Sequence, residues 1–211
     1  MQNRRHLDAK GVTLIELLVV LVLSGFVIGG TYRLFVAQTR AYTVQDQVVE
    51  VQQGIRSVME ILLRDLRMAG FDSDRLSSKI SIVNPIIAGD HSVTVNYEYD
   101  DTHRYEVIYA LNNKKLTRQL TIFPDVGPST ATTDTLLENV EALDFTYGVD
   151  TNDDGSLESW VSAGDVGMSK VVAVRVVLTA NPDQTNPDVK NWVSPRTLTS
   201  AVTIRNSCFK R

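Results

Sequence analysis

Between Val12 and Gly30 the chain runs V-T-L-I-E-L-L-V-V-L-V-L-S-G-F-V-I-G-G, with Glu16 as its single charge. A helix of that length, at 1.5 Å per residue, crosses most of a bilayer's hydrocarbon core. Past Gly30 the apolar positions narrow to a seam. Val44, Val48, Val51, Ile55, Val58 and Leu62 recur at alternating three- and four-residue spacings, while Gln45, Asp46, Gln47, Glu50, Gln52, Gln53, Arg56 and Glu60 fill the other face. That pattern predicts an amphipathic helix. Gly54 is tolerated within it at about 1 kcal/mol relative to Ala. Arg64, Arg67 and Gly70 read as a basic last turn and a glycine stop. One helix from about Val12 to Ala69, roughly 85 Å long, is therefore expected. No compact domain of this size buries such a helix, so its first half belongs in a membrane or against other copies. Only its second half can pack on a head.

The apolar period then changes from helical to two. Residues 92–99 alternate through Val93, Val95, Tyr97 and Tyr99, and residues 104–111 place Tyr105, Val107 and Tyr109 on one face. Residues 115–121, 140–147, 171–179 and 197–204 bring the set to about six strands. Asn112-Asn113 suits a tight hairpin turn, because Asn tolerates positive φ. Residues 127–135 and 181–191, rich in Pro, Asn and Thr, read as loops. The expected fold is α+β, with a long N-terminal helix covering an antiparallel sheet. A sheet needs an apolar cover, which favours this packing over a coiled-coil dimer. The tyrosines alternate with strand period, as sheet packing requires, rather than as a stacking platform for a ligand.

Composition narrows the chemistry. The chain has 211 residues, 43% hydrophobic and 22% charged, which suits one domain with an appendage. A net charge of −4 argues against a nucleic-acid surface. A single cysteine, Cys208, excludes an intrachain disulfide and a Cys-based zinc site, and reads as a small packing residue. No G-x-S-x-G elbow, P-loop or H-E-x-x-H motif is present, so no enzyme is expected and no cofactor is required. His91 and His103 flank the first hairpin as surface residues. The segment D-T-N-D-D-G-S-L-E at residues 150–158 matches D-x-N-x-D-G, the first half of an EF-hand loop. Asp150, Asn152 and Asp154 would give calcium side-chain oxygens, Gly155 the turn and Ser156 a carbonyl. Val161 stands where a bidentate Glu is usual, leaving Glu158 or Asp165 to complete the shell. A plain Asx turn needs only the same Asp, Asn and Gly, so both readings stand, and the bunched carboxylates favour a cation.

The N-terminal segment carries Arg4, Arg5 and Lys10 against Asp8, which predicts a cytoplasmic N-terminus with the rest of the chain across the membrane. A secretory signal would place its small-residue cleavage site after the apolar run. Here Gly11 precedes it, and Glu16 lies inside the span, where a carboxylate is costly. The string Gly11-Val12-Thr13-Leu14-Ile15-Glu16-Leu17-Leu18-Val19-Val20 resembles the prepilin cleavage and methylation motif of type IV pilins and type II secretion pseudopilins. That resemblance implies cutting between Gly11 and Val12 by an inner-membrane prepilin peptidase and methylation of the new Val12 amine. Most members carry Phe at that position. Glu16 can then pair with the terminal amine of a neighbouring subunit, and because an unpaired buried charge is costly, the pair selects axial register.

Residues 55–74, 109–118, 140–147 and 202–206 resemble PilW-type minor pilins and the related J-type pseudopilins. Cys208 departs from members that close a C-terminal loop with a disulfide. The resemblance implies a leader at 1–11, a membrane and filament-core helix half at 12–36, an amphipathic helix half at 37–70 and a periplasmic head at 71–211. It implies a single-pass inner-membrane protein whose partners are the prepilin peptidase, other minor pilins, the major pilin and the inner-membrane assembly platform. Its expected role is to help initiate a type IV pilus. The alternatives are a J-type minor pseudopilin of a type II secretion system and, from another class, a membrane-anchored periplasmic binding or enzyme domain.

Overall fold

Helix α1 spans Leu14–Met68 in the computed structural model, which describes residues 11–72, 82 and 84–208. Residues 1–10 of the expected leader, with Arg4, Arg5 and Lys10, and residues 73–74 of the PilW-like segment lie outside the described residues. The chain divides into two compact units, Met1–Gln45 and Asp46–Arg211.

In the first unit α1 leaves its side chains exposed almost throughout. Leu14 is 84% exposed and Phe26 76%, although the helix is long and apolar enough to cross a membrane. In the second unit the same helix acquires a buried seam of Val51, Ile55, Val58, Leu62 and Leu66. The helix stops as its sequence predicts. Gly70 adopts φ +70° and its N–H donates to the Asn96 carbonyl at 2.9 Å, while Phe71 N–H returns to Met68 at 2.8 Å.

Nine strands among the described residues form two antiparallel sheets. The first, in the order β1-β2-β3-β4-β5, comprises Ile86–Ala88, Ser92–Asp100, His103–Asn112, Lys115–Pro124 and Thr130–Leu137. The second, in the order β7-β6-β8-β9, comprises Ser159–Val161, Val140–Asp150, Lys170–Ala180 and Arg196–Thr203. Short helices α2 (Pro187–Trp192) and α3 (Arg205–Cys208) flank β9. The helical seam joins Val93, Val95, Val107 and Leu116 of the first sheet and Leu143, Phe145, Val174 and Leu178 of the second in one core.

Several expectations are corrected. The hairpin between β3 and β4 turns one residue later, at Asn113 (φ +48°) and Lys114 (φ +61°), with Asn112 paired to Lys115. Two positive φ values in succession make the tight turn whose twist matches the strands. Residues 130–135 belong to β5, not to a loop; four of them are Thr, and pairing with β4 overrides the turn-like composition. Within residues 181–191, Pro187 opens α2, where its missing N–H costs nothing. β1 and β7 have three residues each, too few for a period to show. Of the tyrosines, Tyr97 and Tyr109 are buried, whereas Tyr99 is exposed and stacks on Tyr105 with ring centroids 4.5 Å apart.

Candidate functional site

At the start of α1, Thr13 stands immediately before the helix and accepts a hydrogen bond on its hydroxyl from Glu16 N–H at 3.3 Å. Leu17 N–H reaches the Thr13 carbonyl at 3.2 Å, closing the first turn. Thr13-x-x-Glu16 thus occupies the capping-box positions, which satisfy amide groups that a helix start leaves without partners. Gly11 and Val12 precede it, both exposed. Thr13 and Glu16 thus build the helix start directly after the expected Gly11-Val12 cleavage position. The T-x-x-E spacing was visible in the sequence and explains why Glu16 is acceptable in the first turn, where a carboxylate also meets the positive end of the helix dipole.

A second polar constellation lies in the core. Asp65, 2% exposed, sits at the next position of the α1 seam, three residues beyond Leu62. Its Oδ2 accepts from the Tyr109 hydroxyl at 2.7 Å, from Arg118 Nε at 2.9 Å and from Arg118 Nη2 at 2.9 Å. Tyr109 and Arg118 face each other across β3 and β4. Burial first, and then the Asp65 carboxylate, push the Tyr109 hydroxyl far above the usual tyrosine range. Burial works against the Arg118 charge, but Asp65 and Tyr109 outweigh it and raise its pKa. The apolar spacing itself lands on Asp65, so a charge at that seam position was the missed signal.

A further pin joins the sheets. The Tyr147 hydroxyl donates to the Gly89 carbonyl at 2.8 Å and accepts from Gly89 N–H at 3.0 Å. Burial pushes that hydroxyl up to about 12. His91 Nδ1 lies 3.0 Å from the Leu143 carbonyl and 3.1 Å from Asp144, and His103 Nδ1 lies 2.8 Å from Asp100. Both histidines serve turns at the ends of β2 and β3. Cys208 closes α3, and its side chain lies outside the described residues.

The loop at residues 150–158 is held by its own amides. Asp150, 2% exposed, accepts from Gly155 N–H at 2.7 Å and Asp154 N–H at 3.3 Å. Asn152 Oδ1 accepts from Asp154 N–H at 2.9 Å, and Asp154 Oδ1 from Ser156 N–H at 2.7 Å. Glu158 accepts from the Thr151 N–H at 2.8 Å and from the Thr151 hydroxyl. Among the described residues no three His, Cys, Asp or Glu side chains converge as a metal shell. Seating an ion here would require Asp154 and Glu158 to exchange these bonds for it.

A model described as Type IV Pilus-assembly protein W matches residues 104–208, and one for the prokaryotic N-terminal methylation motif matches residues 7–32. The chain is a type IV pilin-like protein of the PilW type. The PilW match begins in β3 and runs to the end of α3, so it takes in Tyr109, Arg118, Tyr147 and residues 150–158. The motif match takes in Gly11, Val12 and Glu16. Among solved structures, a type IV-like pilin from Thermus thermophilus aligns at 13% identity with a TM-score of 0.47, covering 74% of this chain and 97% of that one. No curated protein matches the sequence. Membership among the PilW-type pilins makes this chain a structural subunit, anchored through an apolar N-terminal helix and processed within the pilin machinery.

Proposed function

We propose that this minor pilin helps initiate type IV pilus assembly. A prepilin peptidase removes residues 1–11, Val12 is methylated, and the helix holds the subunit in the inner membrane with its N-terminus cytoplasmic and its head periplasmic. Glu16 then guides docking against a neighbour's terminal amine. The head selects other minor pilins, and the major pilin follows on the assembly platform. The observation that supports the reading most is the pairing, in one chain, of the methylation motif with a PilW-type head.

Intact mass of the membrane-extracted protein, in cells with and without prepilin peptidase, tests the processing. Loss of residues 1–11 plus one methyl group is expected only when the peptidase is present, and an uncut chain in both strains overturns the reading. Deleting the gene separates machines: loss of pili supports initiation, whereas intact pili with failed secretion would assign the subunit to a type II system. The proposal includes calcium at Asp150, Asn152, Asp154, Ser156 and Glu158, supported by the D-x-N-x-D-G spacing. A melt at about 1 mM calcium should raise Tm in the natural protein and not in Asp154→Ala; equal melts remove the ion from the proposal.

A further inference from the structure

The two sheets end in four edge strands, and three of them are accounted for by the fold. β1 and β7 have three residues each, too short to template another strand. β9 has eight, but it seats Val202 in the core and half-buries Leu198. β5 also has eight, and residues 130–135 are exposed at every position. Neither face of that stretch is covered. It adds no apolar burial to the fold, yet it carries the entropy of being ordered.

Natural edges are blunted by Lys, Pro, bulges or shortness, because a row of unpaired N–H and C=O groups recruits other strands. Residues 130–135, T-A-T-T-D-T, contain neither Lys nor Pro, and the register shift against β4 lies at their far end, by Leu116 and Thr117. Threonine keeps such a strand extended and soluble while leaving its edge open. Six residues offer about 20 Å of backbone, with every second residue turning its N–H and C=O outward.

We propose that the free edge of β5 is a strand-addition site for an extended segment of a different subunit of the same assembly. The inference rests on the reading of the chain as an assembly subunit. Asp134 carries the one charge on this stretch, and its cross-strand neighbour Arg118 is held by Asp65, so the incoming strand is neutral or basic opposite it. Pairing of β5 with β5 of a second copy is disfavoured, because an isologous contact closes on itself whereas a filament grows through heterologous ones.

Amide hydrogen exchange compares detergent-extracted full-length subunits with the same subunits in sheared filaments. Exchange over residues 130–135 should slow by about tenfold or more in filaments, with residues 197–201 of β9 unchanged. Subunits present in filaments with β5 exchange unaltered overturn the edge while leaving the assembly reading intact. Subunits absent from filaments overturn both. The double variant Thr132→Lys, Thr133→Lys places gatekeepers on exposed positions and should melt as the natural protein does, while its incorporation falls about fivefold; full incorporation overturns the site. A disulfide-linked homodimer of Thr133→Cys, Cys208→Ser within filaments would put a second copy there and overturn the partner named.

Discussion

A single carboxylate, Asp65, ties the pilin helix to two strands, and the energetics of that tie follow from its burial. Its partner Arg118 has a side chain only 16% exposed, and Asp65 itself 4%. Removing one member of such a pair leaves the other charge desolvated and uncompensated, which costs more than the intact pair contributes. Asp65→Ala should therefore lower unfolding stability by about 3–5 kcal/mol. A combined Asp65→Leu, Arg118→Met change should cost much less than the single change; urea titration of the detergent-solubilised full chain measures both. The tyrosines set a pH limit at the same scale. Burial pushes Tyr97 and Tyr147 up to about 12 and raises Tyr109 further. Above pH 10 the unfolded chain releases phenolic protons that the folded chain still holds, so stability present below about pH 10 falls as pH rises toward 12. Urea midpoints at successive pH values from 9 to 12 should decline monotonically (a flat profile would mean these hydroxyls titrate alike in both states).

At the scale of elements, legibility depended on whether burial was one-sided. The α1 seam and the alternation through Val93, Val95 and Tyr97 in β2 and through Val107 and Tyr109 in β3 were readable because the helix buries one stripe and these two strands carry their buried apolar residues at every second position. Residues 130–135 of β5 were not, since with both faces exposed they have no alternation to display, and only the ladder with β4 makes them a strand. Gly54 is more than a tolerated defect: a Cβ there would lie 3.0 Å from Leu137 Cδ1, so the glycine permits α1 to approach β5 closely. Gly89 has a similar role in the β1–β2 turn, where a Cβ would lie 2.8 Å from the Ser92 carbonyl oxygen. The β3–β4 turn supplies a prediction in the other direction. Lys114 holds φ +61°, a conformation that costs an L-residue roughly 1 kcal/mol and glycine almost nothing. Its backbone carbonyl, which accepts from Val140 N–H at 2.9 Å, survives substitution. Lys114→Gly should accordingly raise Tm by a few degrees, about what 1 kcal/mol yields in a domain of this size, and an unchanged or lowered melt would show that the turn bears no such strain.

For the whole molecule the decisive question is what Glu16 does, since the structure gives it a place in the helix start and the proposed assembly gives it a charge to neutralise. The two roles separate by substitution. As part of a capping box beside Thr13, Glu16 stabilises the first turn by about 0.3–1 kcal/mol, and glutamine fills the same position nearly as well. As the partner of a neighbour's terminal amine in an apolar filament core, only a carboxylate serves, because a neutral amide leaves the ammonium unpaired at a cost of about 3–5 kcal/mol. That difference corresponds to at least a hundredfold in docking equilibrium. Insertion should be insensitive to either change, since the apolar run that follows is untouched and removing a charge eases entry into the bilayer. Glu16→Ala and Glu16→Gln should thus accumulate in the membrane at natural levels, and both should be cleaved at Gly11. Both should also be depleted in sheared filaments by tenfold or more, as read by quantitative immunoblot against the membrane pool. Recovery by glutamine but not alanine would assign Glu16 to the helix cap alone. Normal incorporation of both would remove it from assembly altogether.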